Sequence, residues 1–188
     1  MKMNSKTIAS IVVFAALTVA LALSPIKVPA PYAPYLIYQI WEIPIVAVFL
    51  LYNPLIGVAI AIINTMVLLA VFPGSLPAGP FYNLFAVLST LLGIYIIHKL
   101  LTKRFNKQQE AIFVTFSTLL GIIMRVGIMT IINWILLQYP YPVGFSMIPE
   151  AVIATLPILG IFNASIALYT IPLGHIIAKA VRSAIKIL

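Results

Sequence analysis

The sequence predicts an all-α integral membrane protein, a bundle of six transmembrane helices with both termini in the cytoplasm. Three observations predict it. Of 188 residues, 63% are hydrophobic and 7% are charged, with a mean hydropathy of +1.18, more apolar side chain than a soluble domain of this size can bury. The apolar residues gather in six runs, at 6–24, 39–52, 54–72, 80–101, 111–137 and 149–180, most near the ~20 residues that span hydrocarbon. The basic residues form three clusters: Lys2 and Lys6 before the first run, Lys99, Lys103, Arg104 and Lys107 around the 102–110 connection, and Lys179, Arg182 and Lys186 at the end. An even number of spans puts all three on one side, and the positive-inside bias makes that side the cytoplasm. The opposite loops, 25–38, 73–79 and 138–148, hold only Lys27. The expectation is one transmembrane domain over 1–188, multi-pass in the cell membrane, with its net charge of +8 a topology signal rather than a nucleic-acid footprint.

The first run begins basic and contains Ala20-Leu21-Ala22, features shared with a secretory leader. Its apolar stretch exceeds the usual leader core, so it is read as a retained span. Ser5, Ala9, Ala16 and Ala20 recur along one face and include Ala16-x-x-x-Ala20; small side chains let another helix approach closely, within the bundle or from a partner. The second run is short. Only Asn53-Pro54 separates it from the third, a turn signal that makes the two a helical hairpin. The loops "PIKVPAPYAPYLIY" and "QYPYPVGFSMI" are dense in proline and tyrosine, which suits either stiff lids or an interfacial tyrosine belt.

Groups able to carry catalysis are nearly absent. There is no cysteine and no aspartate; His98 and His175 fall at helix ends beside lysines, where interfacial placement is expected rather than metal ligation, and Glu110 falls in a cytoplasmic loop. Gly74 and Gly79 are followed by Pro80 rather than the lysine of a phosphate loop, so the chain has no means of hydrolysing ATP. No enzyme activity, cofactor or metal site is expected.

What remains is a set of polar residues within the runs: Glu42, Asn64, Asn83, Arg125, Asn133, Glu150 and Asn163. Such groups face a bundle interior or a wet cavity rather than lipid. At ~1.5 Å per residue, Glu42, Asn83, Asn133 and Glu150 fall in the outer half and Asn64, Arg125 and Asn163 nearer the middle, outlining a cavity open to the outside. Arg125 needs an anion at that depth, either Glu42 or Glu150, or an acidic group of a ligand.

The chain resembles the substrate-binding (S) components of energy-coupling-factor (ECF) vitamin transporters, most closely the riboflavin type. The resemblance rests on Glu42-Ile43-Pro44 followed by Asn53-Pro54-Leu55-Ile56-Gly57-Val58, on Asn83 in "GPFYNLFA", on Met129-Thr130-Ile131-Ile132-Asn133 followed by Tyr139-Pro140, on Phe162-Asn163, and on the Ala16-x-x-x-Ala20 face. It departs where Ile166 replaces a family lysine, where Glu42 stands for an aspartate, and where Asn64 is in register with a lysine. The resemblance implies capture of a vitamin from outside and docking, through Ala9, Ala16 and Ala20, onto a transmembrane coupling subunit driven by two ATPases. Riboflavin is neutral, flat and edged by donors and acceptors. Asn83, Asn133 and Asn163 could supply amides and Tyr35, Trp41 and Phe81 walls, with Glu42, Asn64 and Arg125 completing the expected site. An anionic vitamin such as biotin, pantothenate or folate would instead be held by Arg125, a cationic one by Glu42 or Glu150. A structural membrane subunit without a ligand is the remaining class.

Overall fold

A computed structural model describes residues 5–25, 28–71, 76–101 and 110–187; Lys2, Lys27, Lys103, Arg104 and Lys107 lie outside them. The described residues form α1 (Ser5–Leu23), β1 (Val28–Ala30), β2 (Ala33–Tyr38), α2 (Glu42–Leu51), α3 (Pro54–Val71), α4 (Gly79–Leu101), α5 (Glu110–Leu136) and α6 (Pro149–Ile187). Four of these, α3 to α6, are long and apolar enough to cross a membrane, while α2 and the Thr7–Leu23 stretch of α1 are shorter. The protein is a multi-pass membrane protein.

The all-α expectation needs one correction. The stretch read as a loop at 25–38 contains an antiparallel hairpin pairing Val28 with Tyr38 and Pro29 with Ile37, with an irregularity after Pro29. Pro29 lacks an amide hydrogen, so it belongs at an interrupted edge. The Tyr32 and Tyr38 hydroxyls meet across the hairpin at 3.2 Å. Desolvation and then this hydrogen bond hold the Tyr32 hydroxyl above its ordinary pKa.

Helix α2 starts at Glu42 rather than 39. Its ten residues reach about 15 Å, half the hydrocarbon thickness. That is tolerable because it is sheathed in protein: Ile45, Val46, Ala47 and Val48 are buried, against α1, α3 and α6, so most of its surface meets protein rather than lipid. The turn into α3 is built by its sequence. Asn53 Oδ1 accepts the Leu55 amide at 2.8 Å, capping the helix, and Pro54 occupies the first helical position, where a missing N–H costs nothing. Helix α6 runs seven residues beyond the expected 180. Near its end Arg182 donates to the Leu50 carbonyl at 3.3 Å, satisfying the close of α2.

Close helix crossings depend on glycine. A methyl group at Gly93 of α4 would stand 2.7 Å from Gly121 Cα in α5, and one at Gly174 of α6 would stand 2.6 Å from Val46 in α2. In α1, Phe14, Thr18 and Ala22 turn inward. Ala9, Ala16 and Ala20 lie on the opposite, exposed face, so the small-residue stripe does not pack within the bundle.

Candidate functional site

The connecting residues 24–25, 28–41, 76–78 and 137–148 gather at one end of the bundle. Tyr82 ties α4 to the last of them through its hydroxyl and the Val143 carbonyl at 2.9 Å. The amides of Phe145 and Met147 fold the same loop back onto the Leu137 carbonyl. Between these elements is a cavity of about 500 Å³, within the usual range for small-molecule sites. Its walls are mainly apolar, from Leu36 and Tyr35 of the hairpin, Leu68 of α3, Phe145 and Met147 of the loop, and Leu159 of α6; Asn83, Asn133, Tyr82 and Thr155 supply polar groups.

Beneath the cavity is a buried ion pair. Arg125 donates from Nη1 to Glu42 Oε2 at 2.5 Å and from Nη2 to Oε1 at 2.9 Å, a two-pronged contact matched to the planar guanidinium. Its Nε donates to Asn163 Oδ1 at 3.0 Å and its Nη1 also to Thr90 at 3.2 Å. Asn163 in turn donates to the Leu159 carbonyl at 2.9 Å. Glu42 and Arg125 are 1% and 2% exposed, so one network locks α2, α4, α5 and α6 together and leaves the guanidinium no open side for a ligand carboxylate. Glu150 is exposed at the start of α6 and takes no part.

Of the expected site residues, the structure brings Tyr35, Asn83 and Asn133 to the cavity. It does not bring Trp41, Glu42, Asn64, Phe81, Arg125 or Asn163 to its wall. Phe81 is 47% exposed: it is two residues from both Gly79 and Asn83, about 200° around a helix at 3.6 residues per turn, and so faces away from the wall they form. Trp41 is buried in the apolar core. Glu42, Arg125 and Asn163 are consumed by one another. The Tyr82, Phe145, Met147 and Thr155 contributions were not anticipated. Spacing could have suggested Tyr82, one residue from Asn83, but the loop residues carried no signal.

Asn64 is 1% exposed, and neither side-chain atom has a partner. Replacing it with leucine, similar in size and without polar atoms, is expected to stabilise the protein by about 1 kcal/mol or more, because unmet buried groups carry their desolvation cost uncompensated. Thermal unfolding in detergent checks this; an unchanged or lowered midpoint would mean the amide is paired in the membrane.

The opposite end carries a second polar group. Glu110 is the first residue of α5 rather than part of a loop. It meets His175 Nε2 at 2.7 Å and Lys179 Nζ at 2.8 Å, joining α5 to α6, and Phe113 stands between the His98 and His175 rings.

No protein-family model matches the chain. It is 28% identical over 130 residues to the riboflavin transporter RibU of Staphylococcus aureus (strain TCH60), a match covering 69% of this chain and 65% of that relative. Among solved structures it is similar to the S component of a bacterial ECF transporter, with a TM-score of 0.75 and 20% identity, covering 98% of this chain and 99% of that one. The chain therefore has the fold of an ECF transporter S component.

Proposed function

We propose that the protein is an S component that captures riboflavin from outside the cell and delivers it inward through an ECF-type importer. The observation that carries this reading is the cavity: apolar walls with amide and hydroxyl groups, above charges that neutralise one another. A neutral ring system edged by donors and acceptors suits such a site, because it finds hydrogen bonds without meeting an uncompensated charge. The similarity to RibU supports the same ligand. An anionic vitamin would need a free cation, and Arg125 is already engaged by Glu42. In this reading the cavity end faces outward, six helices span the bilayer, and both termini lie inside. Protein purified in detergent should be yellow with a flavin absorbance spectrum, or should quench added riboflavin fluorescence; colourless protein that does not quench would overturn the proposal.

The chain is not an enzyme in this reading. Transport energy comes from ATP used by two partner ATPases acting through a transmembrane coupling subunit. The exposed Ala9, Ala16 and Ala20 face supports docking on that subunit, since small residues allow close backbone approach. Ala16→Trp or Ala20→Trp should therefore abolish riboflavin uptake by cells carrying the full transporter while leaving affinity in detergent unchanged. Loss of both would place the face inside the protein's own packing.

A further inference from the structure

Three polar residues of the cavity wall share one height in the bundle. Arg125 meets Thr90 and Asn163, and these contacts set the register of α5 against α4 and α6. Eight residues from each of the three, toward the cavity end, are Asn133, Tyr82 and Thr155, about 12 Å above the ion pair. All three line the cavity. A hydroxyl has one hydrogen to donate and two lone pairs with which to accept. Thr155 donates its hydrogen to the Val152 carbonyl at 2.8 Å and Tyr82 donates to the Val143 carbonyl at 2.9 Å. Only acceptor lone pairs therefore remain for a ligand at these two positions, within the first two turns of α6 and α4.

Riboflavin divides its own donors unevenly. Its ring system is edged mostly by acceptors, with a single N–H, whereas its sugar-alcohol chain carries a hydroxyl on every carbon after the first. Building on the riboflavin reading, we infer that Thr155 is a specificity-determining residue whose hydroxyl oxygen accepts a hydrogen bond from the ligand's sugar-alcohol chain, with Tyr82 as a second acceptor at the same height. The amides on the same wall have the complementary task. Asn83 and Asn133 carry N–H donors that suit the acceptors of the ring, and the two hydroxyls have no hydrogen left to give it. A flavin without the chain leaves both hydroxyl oxygens without a donor from the ligand and binds less tightly for that reason.

The test compares riboflavin with lumiflavin, which has the same ring and a methyl group in place of the chain, by fluorescence titration of the purified protein. The unsubstituted protein should prefer riboflavin by about tenfold or more. Thr155→Val, which replaces the hydroxyl with a methyl group of similar size, should reduce that preference on the order of threefold to tenfold. Thr155→Ala should reduce it to the same extent, and Thr155→Ser, which keeps the hydroxyl, should retain it. The preference is a ratio of affinities, so a partial loss of active protein does not alter it, and the alanine variant serves if the valine variant does not fold. Equal binding of the two flavins by the unsubstituted protein overturns the inference, as does an unchanged preference in the valine or alanine variant. A serine variant that loses as much preference as these would assign the effect to packing of the threonine methyl group and overturn it too. Binding of neither flavin instead overturns the riboflavin reading on which the inference rests.

Discussion

Arg125→Met will lower the thermal unfolding midpoint in detergent by on the order of 10 °C, and adding Glu42→Met to it will restore most of the loss. The single change leaves the Glu42 carboxylate 1% exposed with both oxygens stripped of donors. Removing one member of a buried pair costs about 3–5 kcal/mol, whereas replacing both by apolar residues of similar size is often neutral or better. A double variant that melts no higher than the single would show that the two residues are not coupled. The same pair separates two kinds of ligand. Because neither residue lines the cavity, the double variant should still bind riboflavin, whereas a site that held a vitamin carboxylate through Arg125 would lose its ligand.

Gly93→Val will disrupt the bundle more than any lipid-facing substitution. The added atoms meet Gly121 Cα at 2.7 Å and Gly121 N and the Leu120 carbonyl oxygen at 2.8 Å, all of them backbone, which cannot swing aside as a side chain can. Helices α4 and α5 would have to separate, and overpacking of this kind costs about 1–3 kcal/mol or more. Separation would also reach the polar network, since Thr90 and Arg125 lie one turn from the crossing on either helix. Gly127→Ala is the matched control. A methyl group there meets nothing within 4 Å and favours the helix, so its midpoint should stay level or rise. Equal losses for the two variants would show that the cost is not one of helix approach.

Much of the architecture was legible because its signals are local. Five of the six helices lie within two residues of the expected starts, α2 being the exception, and the Asn53-Pro54 turn holds because cap chemistry needs only neighbouring residues. The hairpin was missed. Its prolines argue against a regular strand, and the pairing of Val28 with Tyr38 depends on residues ten apart. On the cavity wall, Asn83 and Asn133 were legible as sheltered groups because an amide in an apolar run demands a polar surrounding. Phe81 faces away from that wall because two residues along a helix turn a side chain about 200° from Asn83.

The sequence by itself determined that the chain belongs in a membrane, where its helices run, and that its intramembrane polar groups must be sheltered. Hydropathy is a property of each residue and survives without a structure. Only the tertiary structure decided what shelters each group: Arg125 closes on Glu42, 83 residues away, while Asn133 opens onto the cavity. That division depends on how each helix is rotated about its axis, where one position is worth about 100°, and on which helices pack together. A polar residue at a known depth can therefore be core or site, and the packing chooses between them.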